Sequence, residues 1–415
     1  MMIIDFAKTL VRGDDELEKW QNRIDKINNK LCDKYYDSRN NQMLQVGSVG
    51  RGTAITKTSD YDVIFKLPQE VYNRFDSHED NGQSKLLQEV KEEIRNLYSS
   101  TNIKGDGQVV VISFTDGQIE LVPGFEQADG SFKFPDSHGD GSWKTTKPIP
   151  EIEKSREMKN QTNDIFNYLC YLMRQWKNHI GFSFKGLLID TMVCDYLDEN
   201  DDFRDKSEFD LLKDLFEFLA KQDKERVCWL ALGSNQKITN DGGGKFITKA
   251  KKALKKFEDE DEEKVLRELF GYKKKETKAV SEQFIEDLGY KVDIRYNLKL
   301  DCDVSQPGMM VRKLSDFLSS HWKILGGRRL RFYIANARQF YDLGLNVEYY
   351  WKVRNVGTEA KRRNCERGQI KRGDKTHEEP TSFNGNHYVE CYVVLNNVVI
   401  ARGRIDVPID VVKGI

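Results

Sequence analysis

Nowhere does this 415-residue chain approach the run of about 20 apolar residues that a helix needs to cross a bilayer, which excludes a helical membrane span. The opening stretch, Met1-Met2-Ile3-Ile4-Asp5-Phe6-Ala7-Lys8, lacks the basic flank, apolar segment and cleavage site of a secretory signal. A cytoplasmic protein is expected, with no membrane partner. An excess of one charge is missing too. Lys and Arg total 66 against 67 for Asp and Glu, a formal net charge of −1. That argues against non-specific nucleic-acid binding driven by bulk charge and leaves room only for local basic patches. Paired cysteines are absent: the seven (Cys32, Cys170, Cys194, Cys228, Cys302, Cys365, Cys391) include no C-x-x-C spacing. A structural zinc site is disfavoured, and reduced core thiols are expected. There is no internal repeat and no low-complexity linker.

What is present is a soluble globular balance, 38% hydrophobic and 32% charged, at a length that calls for two or three domains. Leu17, Trp20, Ile24, Ile27 and Leu31 recur at helical spacing within a segment running from Gly13 to Tyr36. Met43–Val46 and Val63–Phe65 read as strands, and Ser84–Leu97 as a helix. Val109–Phe114 and Ile119–Val122 read as a hairpin turning at Asp116-Gly117. From Asn160 the pattern is helical: Ile165, Leu169, Leu172, Met173 and Trp176 share a face. Leu187–Leu197 predicts a buried helix and Glu208–Ala220 another. Lys245–Lys278 alternates charges and predicts an exposed helix pair. Near Leu298 the composition changes. Leu330–Ile334, Val347–Val353, Tyr388–Leu395 and Val398–Ile400 read as strands, with Asn396-Asn397 as a turn. Met309–Leu318 is a helical exception, and Asp374–Pro380 reads as an exposed loop. The expected division is 1–155, 156–297 and 298–415.

The chemistry concentrates in Gly47–Phe65. Asp60 and Asp62 stand two apart at the mouth of a strand, so period-two alternation puts both carboxylates on one face. Two carboxylates there repel unless a cation holds them, and a hard divalent ion does so with carboxylates, water and phosphate oxygens. Gly47-Ser48 precedes them. Such a turn offers backbone N–H groups and a hydroxyl to a triphosphate, and Gly47 removes the Cβ that would obstruct it. Glu120, a lone acid between Ile119 and Leu121 in the returning arm of the hairpin, is the third carboxylate of a two-metal site. Alone, Asp-x-Asp is a common surface pair and Gly-Ser an ordinary loop. The order Gly-Ser, Asp-x-Asp, acidic strand is far more specific. Arg51 inside the cradle, and Arg174 and Lys177 one turn apart on a helix, are candidate phosphate contacts. For the last two, a solvated basic face is an equal reading.

These segments resemble the bacterial branch of the nucleotidyltransferases related to cyclic GMP-AMP synthase and oligoadenylate synthetase, the CD-NTases that carry the SMODS domain. The resemblance lies in Gly47–Phe65, Ile119-Glu120-Leu121-Val122-Pro123, Gly141–Thr146, Leu169–Lys177 and Gly186–Thr191, and covers about residues 15–290. Tyr350–Asn355, Arg367–Ile370, Asn386–Cys391 and Ala401–Pro408 are similar to the adenylyl/guanylyl cyclase and SMODS C-terminal sensor. The resemblance implies an α+β architecture: a polymerase-β-like nucleotidyltransferase palm with a helical lobe, then a mostly β C-terminal sensor domain. It implies an enzyme joining nucleoside triphosphates (ATP, and GTP, CTP or UTP) into a cyclic or linear oligonucleotide second messenger, with pyrophosphate released, in CBASS-type anti-phage signalling. Asp60, Asp62 and Glu120 would hold Mg²⁺, with Mn²⁺ as an alternative. Gly47, Ser48, Arg51 and Lys177 would meet the triphosphate. The C-terminal domain would take a nucleotide ligand or a regulatory protein, and a downstream effector would be reached through the product. Many relatives have Asp as the third acid, and here it is Glu120. Two other readings stand beside this one. A nucleotide-binding sensor with little catalysis is disfavoured by intact Ser48, Asp60 and Asp62. An RNA-tailing nucleotidyltransferase is disfavoured by the near-zero net charge.

Overall fold

In the computed structural model, which describes residues 2–56, 60–272, 282–305, 310–342, 347–356, 360, 366–381, 385 and 387–409, a short helix α1 (Met2–Lys8) precedes α2 (Asp14–Tyr35). The face anticipated for α2 is buried at Trp20, Ile24, Ile27 and Leu31, while Leu17 is exposed. Next come β1 (Met43–Gln45), the one-turn α3 (Gly47–Gly50), β2 (Asp60–Lys66), α4 (Gln69–Asp76) and α5 (Gly82–Leu97). The Asn81 carboxamide caps α5 by accepting from the Ser84 N–H. Strands β3 (Asn102–Asp106), β4 (Val109–Phe114), β5 (Gly117–Glu126), β6 (Phe132–Asp136) and β7 (Ser142–Thr146) complete one sheet. Its order is β1-β2-β5-β4-β3, with β6 joining β5 to β7. Only β2 and β5 run parallel in it. Alternate residues of this pair (Tyr61, Val63, Ile119, Leu121) are buried against α2 and α5 through Trp20, Ile24, Leu86 and Val90. The opposite face therefore carries the residues between them.

Helices α6 (Pro148–Gln161), α7 (Ile165–Ile180), α8 (Gly186–Glu199) and α9 (Glu208–Lys221) follow, then the small hairpin β8 (Cys228–Leu230) with β9 (Lys237–Thr239), and α10 (Lys245–Leu254) with α11 (Glu262–Phe270). The anticipated apolar α8 is buried along most of its length. The exposed pair anticipated over Lys245–Lys278 is corrected: α10 and α11 are amphipathic and bury Phe246, Ile247, Ala250, Val265, Leu266 and Phe270. Frequent lysines and glutamates on the outer faces masked a period of 3.6 on the inner ones. Residues 273–278 of that expectation lie outside the described residues.

Contacts divide the chain into two units, Met1–His179 with Phe184–Tyr272, and Ile180–Ser183 with Lys273–Ile415. The second unit holds β10 (Lys291–Asn297), β11 (Leu300–Ser305), β12 (Arg312–Lys313), α12 (Leu314–Ser319), β13 (Arg329–Ile334), α13 (Arg338–Asp342), β14 (Glu348–Asn355), β15 (Arg367–Gly373), β16 (Thr376–Pro380), β17 (His387–Leu395) and β18 (Val398–Val407). Two sheets, ordered β10-β18-β17-β14-β15 and β12-β11-β13-β16, share one core. Cys302, Leu330 and Phe332 of one sheet and Trp351, Val389, Cys391 and Ile405 of the other meet in it. Strand β10 pairs with β18 inside this unit, so the compositional break near Leu298 falls within it rather than at its edge. The exposed loop expected over Asp374–Pro380 is corrected: Thr376–Pro380 forms strand β16, paired with β13. Its charged sequence conceals a strand because Glu378 faces outward while Glu379 is buried. The helix anticipated over Met309–Leu318 is shorter, and Arg312-Lys313 before it is strand. Asn396 and Asn397 both adopt positive φ, 49° and 62°, as a tight hairpin turn requires.

Candidate active site

Strand β2 presents Asp60 and Asp62 half-buried on one face, with Tyr61 between them turned into the core. Tyr61 stacks on Trp20 with ring centroids 4.2 Å apart and lies under the Arg12 guanidinium at 4.4 Å. That anchor fixes which way the two acids point, since slipping the strand by one residue would bury both carboxylates. Strand β5 lies parallel in a register that sets Glu120 beside Asp62 and Gln118 beside Asp60. The hairpin delivering β5 is tied to α2, because Asp116 at its turn pairs with Arg23 at 2.9 Å and Lys19 at 2.8 Å. The structure thus brings Asp60, Asp62 and Glu120 onto one face of two adjacent strands. Gln118, not singled out in the sequence, donates from Nε2 to Glu120 Oε1 at 2.7 Å. Its available signal was its place two residues before Glu120, on the same strand face.

Gly47 lies against this row. Its φ is +61°, and a Cβ there would run into the Asp62 carboxylate. Both the backbone angle and the space therefore require glycine. The Val46 N–H donates to the Asp62 carbonyl at 2.9 Å, which seats α3 on the end of β2. As in the first turn of any helix, the N–H groups of Gly47, Ser48 and Val49 have no acceptor within the helix. The pieces sit together, then: a glycine-opened turn, a serine and three half-buried carboxylates. Lys57–Ser59 of the same motif lie outside the described residues.

The donor set fits a hard divalent cation, being all carboxylate oxygen and of one charge. The acids are ranged along the face rather than already gathered. Among the described residues no three His, Cys, Asp or Glu side chains surround a common point. Like charges on neighbouring strands repel, and a cation is what would draw them together.

Arg51 and Arg174 do something other than expected. Arg51 is 8% exposed, and its Nε donates to Asp190 Oδ2 at 2.8 Å, with Glu151 3.6 Å from Nη1. Arg174, equally buried, grips Asp190 with Nη1 to Oδ1 at 2.6 Å and Nη2 to Oδ2 at 2.9 Å. Burial pushes the Asp190 carboxyl upward, but Arg174 and Arg51 outweigh it and hold it below the ordinary range. For Glu151 burial prevails over Arg51 and the Ser234 hydroxyl, so its carboxyl is raised. Stripping a partner from a buried ion pair costs about 3–5 kcal/mol, more than an exposed phosphate contact would return. Arg51, expected as a phosphate contact, is thus placed as a buried strut with its Nε spent on Asp190. Lys177 is buried as well, one turn past Arg174, so this part of α7 is not a solvated basic face. Asp190 was the missed residue, and its signal was a lone acid inside Leu187-Leu188-Ile189-Asp190-Thr191-Met192-Val193.

In the second unit several basic and aromatic residues are also paired internally. Lys352 Nζ meets Glu282 at 2.6 Å and Glu390 at 3.2 Å, and Arg402 meets Glu390 at 2.8 Å. Tyr392 donates to Glu390 at 2.7 Å and Tyr388 to Glu282 at 2.9 Å. Arg329 and Arg331 remain exposed on β13. His387 is buried at 6% exposure. Burial lowers its pKa to about 4, so it is a neutral core residue.

Comparison with known proteins gives these parts a family. Residues 3–160 match the model of the Second Messenger Oligonucleotide or Dinucleotide Synthetase (SMODS) domain, and residues 279–410 match that of the Adenylyl/Guanylyl and SMODS C-terminal sensor domain. No curated protein matches the chain. Solved structures similar to it include CdnC of E. coli MS115-1 with ATP (17% identity, 65% of this chain and 97% of that one, TM-score 0.48). Another is CdnE of Elizabethkingia meningoseptica, a cyclic dinucleotide synthase with GTP and Apcpp (15%, 59% and 99%, 0.43). A third is the Vibrio cholerae di-nucleotide cyclase DncV in a mutant form (10%, 64% and 92%, 0.49). The chain therefore carries a SMODS synthetase domain followed by an adenylyl/guanylyl cyclase and SMODS C-terminal sensor domain. The synthetase domain makes it a nucleotidyltransferase of nucleotide second messengers, a class that uses divalent metal ions. Among the described residues no helix is long and apolar enough to cross a membrane.

Proposed function

We propose that Asp60, Asp62 and Glu120 are the metal-holding acids of this synthase, that the ion is Mg²⁺ or Mn²⁺, and that the product is a cyclic or linear oligonucleotide made in the cytoplasm from ATP and other nucleoside triphosphates. One observation carries the reading: the parallel register sets Asp62 beside Glu120 while Gly47 lies under the Asp62 carboxylate. Bound there, the metal would supply Lewis-acid stabilisation of phosphate charge and a more acidic sugar hydroxyl.

The chain's own residues do the rest. Asp60 and Asp62, fixed by the buried Tyr61, hold negative charge at the mouth of β2 where a sugar hydroxyl must lose its proton. Glu120 joins them from β5, its carboxylate steadied by Gln118. Its extra methylene relative to aspartate gives it reach across the space between neighbouring strands. Ser48 and the first-turn N–H groups of α3 orient the β- and γ-phosphates as donors already in place, so little reorganisation is needed as charge develops. Lys177 is assigned to the triphosphate by the resemblance of its helix. The second unit binds a nucleotide or a regulatory protein and gates synthesis, and the effector is reached through the product.

The direct test incubates the purified chain with all four labelled nucleoside triphosphates and Mg²⁺ or Mn²⁺ and reads products by mass spectrometry. An oligonucleotide product from the native chain, lost when Asp60 and Asp62 are both changed to alanine, is expected. Undiminished product in that variant would sink the assignment.

A further inference from the structure

The loop after Ser48 is held from behind by contacts that a surface turn does not need. Asp190, with 0% exposure, accepts four hydrogen bonds. Two come from Arg174 on α7 and fix the plane of the carboxylate. The others come from the loop itself, Arg51 Nε at 2.8 Å and Thr53 Oγ1 at 2.9 Å. An ion pair serving only to join α7 to α8 would involve Arg174 and Asp190 alone. Here it reaches into the cradle.

Thr53 carries the connection forward. Fully buried, it spends its one hydroxyl proton on Asp190, the Ser48 carbonyl lying further off at 3.5 Å. Its backbone N–H donates instead to the Ser48 carbonyl at 2.9 Å, beside that of Ala54 at 3.1 Å. Gly52, at φ +69°, has its carbonyl held by Asn167 Nδ2 at 2.8 Å and the Tyr171 hydroxyl at 3.0 Å. The peptide unit is planar, so holding the Ser48 C=O also sets the Val49 N–H, which points the opposite way.

We propose that Asp190 is the positioning residue of the phosphate cradle, acting through Thr53 on the Ser48–Val49 peptide so that its N–H faces the triphosphate before substrate arrives. This rests on the reading of Gly47-Ser48 as the triphosphate cradle. Pre-set donors gain most where the charge is greatest. The clamp therefore acts on the phosphates and not on the base or sugar.

The test uses full-length protein with Thr53→Val, which removes only the hydroxyl donor, and Thr53→Ser, which restores it. Calorimetry measures binding of a non-hydrolysable ATP analogue with Mg²⁺ and, separately, of adenosine, at a temperature below every variant's melting point. Thr53→Val is expected to weaken the triphosphate about tenfold and to leave adenosine unchanged, with Thr53→Ser within about twofold of native. Native-like triphosphate binding by Thr53→Val overturns the clamp, as does equal weakening of adenosine, which marks a general loss of structure. A native chain that binds no triphosphate overturns the underlying cradle reading instead. Should Thr53→Val not fold, Tyr171→Phe removes the donor to the Gly52 carbonyl and is expected to shift triphosphate binding in the same direction; no shift overturns the clamp.

Discussion

Two clusters of charge in the first unit differ in a way that separates chemistry from scaffolding. Asp60, Asp62 and Glu120 are three acids of one sign, half-buried along a strand mouth. Asp190, Arg51, Arg174 and Glu151 are mixed in sign and buried, Asp190 hydrogen-bonded to both arginines and Glu151 ion-paired with Arg51. The mixed cluster satisfies itself, and its neutrality is why it can be buried at all. The acidic row gathers one sign of charge at an accessible place, and such a cluster marks a candidate site. The second unit repeats the self-satisfied kind around Lys352, Glu282, Glu390 and Arg402.

The comparison can be broken most decisively at the acidic row. Changing Asp60 and Asp62 together to alanine should lower product formation by about 10,000-fold, or about 5.5 kcal/mol of transition-state stabilisation. The melting temperature in metal-free buffer should stay near native, because both side chains are only half-buried. A variant that melted well below native would show these acids to be structural.

The balanced clusters should answer the other way. Arg51→Ala strands Asp190, and Lys352→Met leaves Glu282 and Glu390 short of a cation. Each should cost about 3–5 kcal/mol in denaturant unfolding. If either were neutral, the buried clusters would be ornaments of the fold and the contrast would collapse.

His387 sharpens the contrast on the pH axis. Burial lowers its pKa to about 4, and among the described residues its Nδ1 has no hydrogen-bond partner. The unfolded chain takes up its proton near pH 6.5 while the folded chain resists until about 4. Stability is therefore complete above 6.5 and lost as pH falls through that window, by at most about 3 kcal/mol. Carboxylates add their own loss below about pH 5, so the comparison is between native and His387→Gln, whose profile should be flatter. Parallel profiles would refute the assignment of His387 as a neutral core residue.

The smallest effect is a rise in melting temperature of about 2–4 °C when Mg²⁺ or Mn²⁺ is added to the native chain without nucleotide. The alanine double variant should show none. An equal rise in both would place the metal elsewhere.

Much of the site was legible because its logic is local. Spacing by two puts Asp60 and Asp62 on one face of any strand, and the lone Glu120 between Ile119 and Leu121 needs only period-two alternation. The strands of the second unit were legible for the same reason. The helices α10 and α11 were misread as exposed because charge density outweighed periodicity. The pairing of Arg51 was not legible, because nothing near it in sequence announces Asp190, which lies on α8.

The sequence by itself determined the residue types, their faces and the order of the motif, since these follow from backbone periodicity and the chemistry of carboxylates and glycine. The tertiary structure alone decided which strands become neighbours: the parallel pairing of β2 with β5 brings Glu120 beside Asp62 across a long connection. It also decided which charges are spent on each other. Arg51 and Arg174 became struts because folding delivered one buried acid between them, and a charge already paired in a low-dielectric core is no longer available to a substrate.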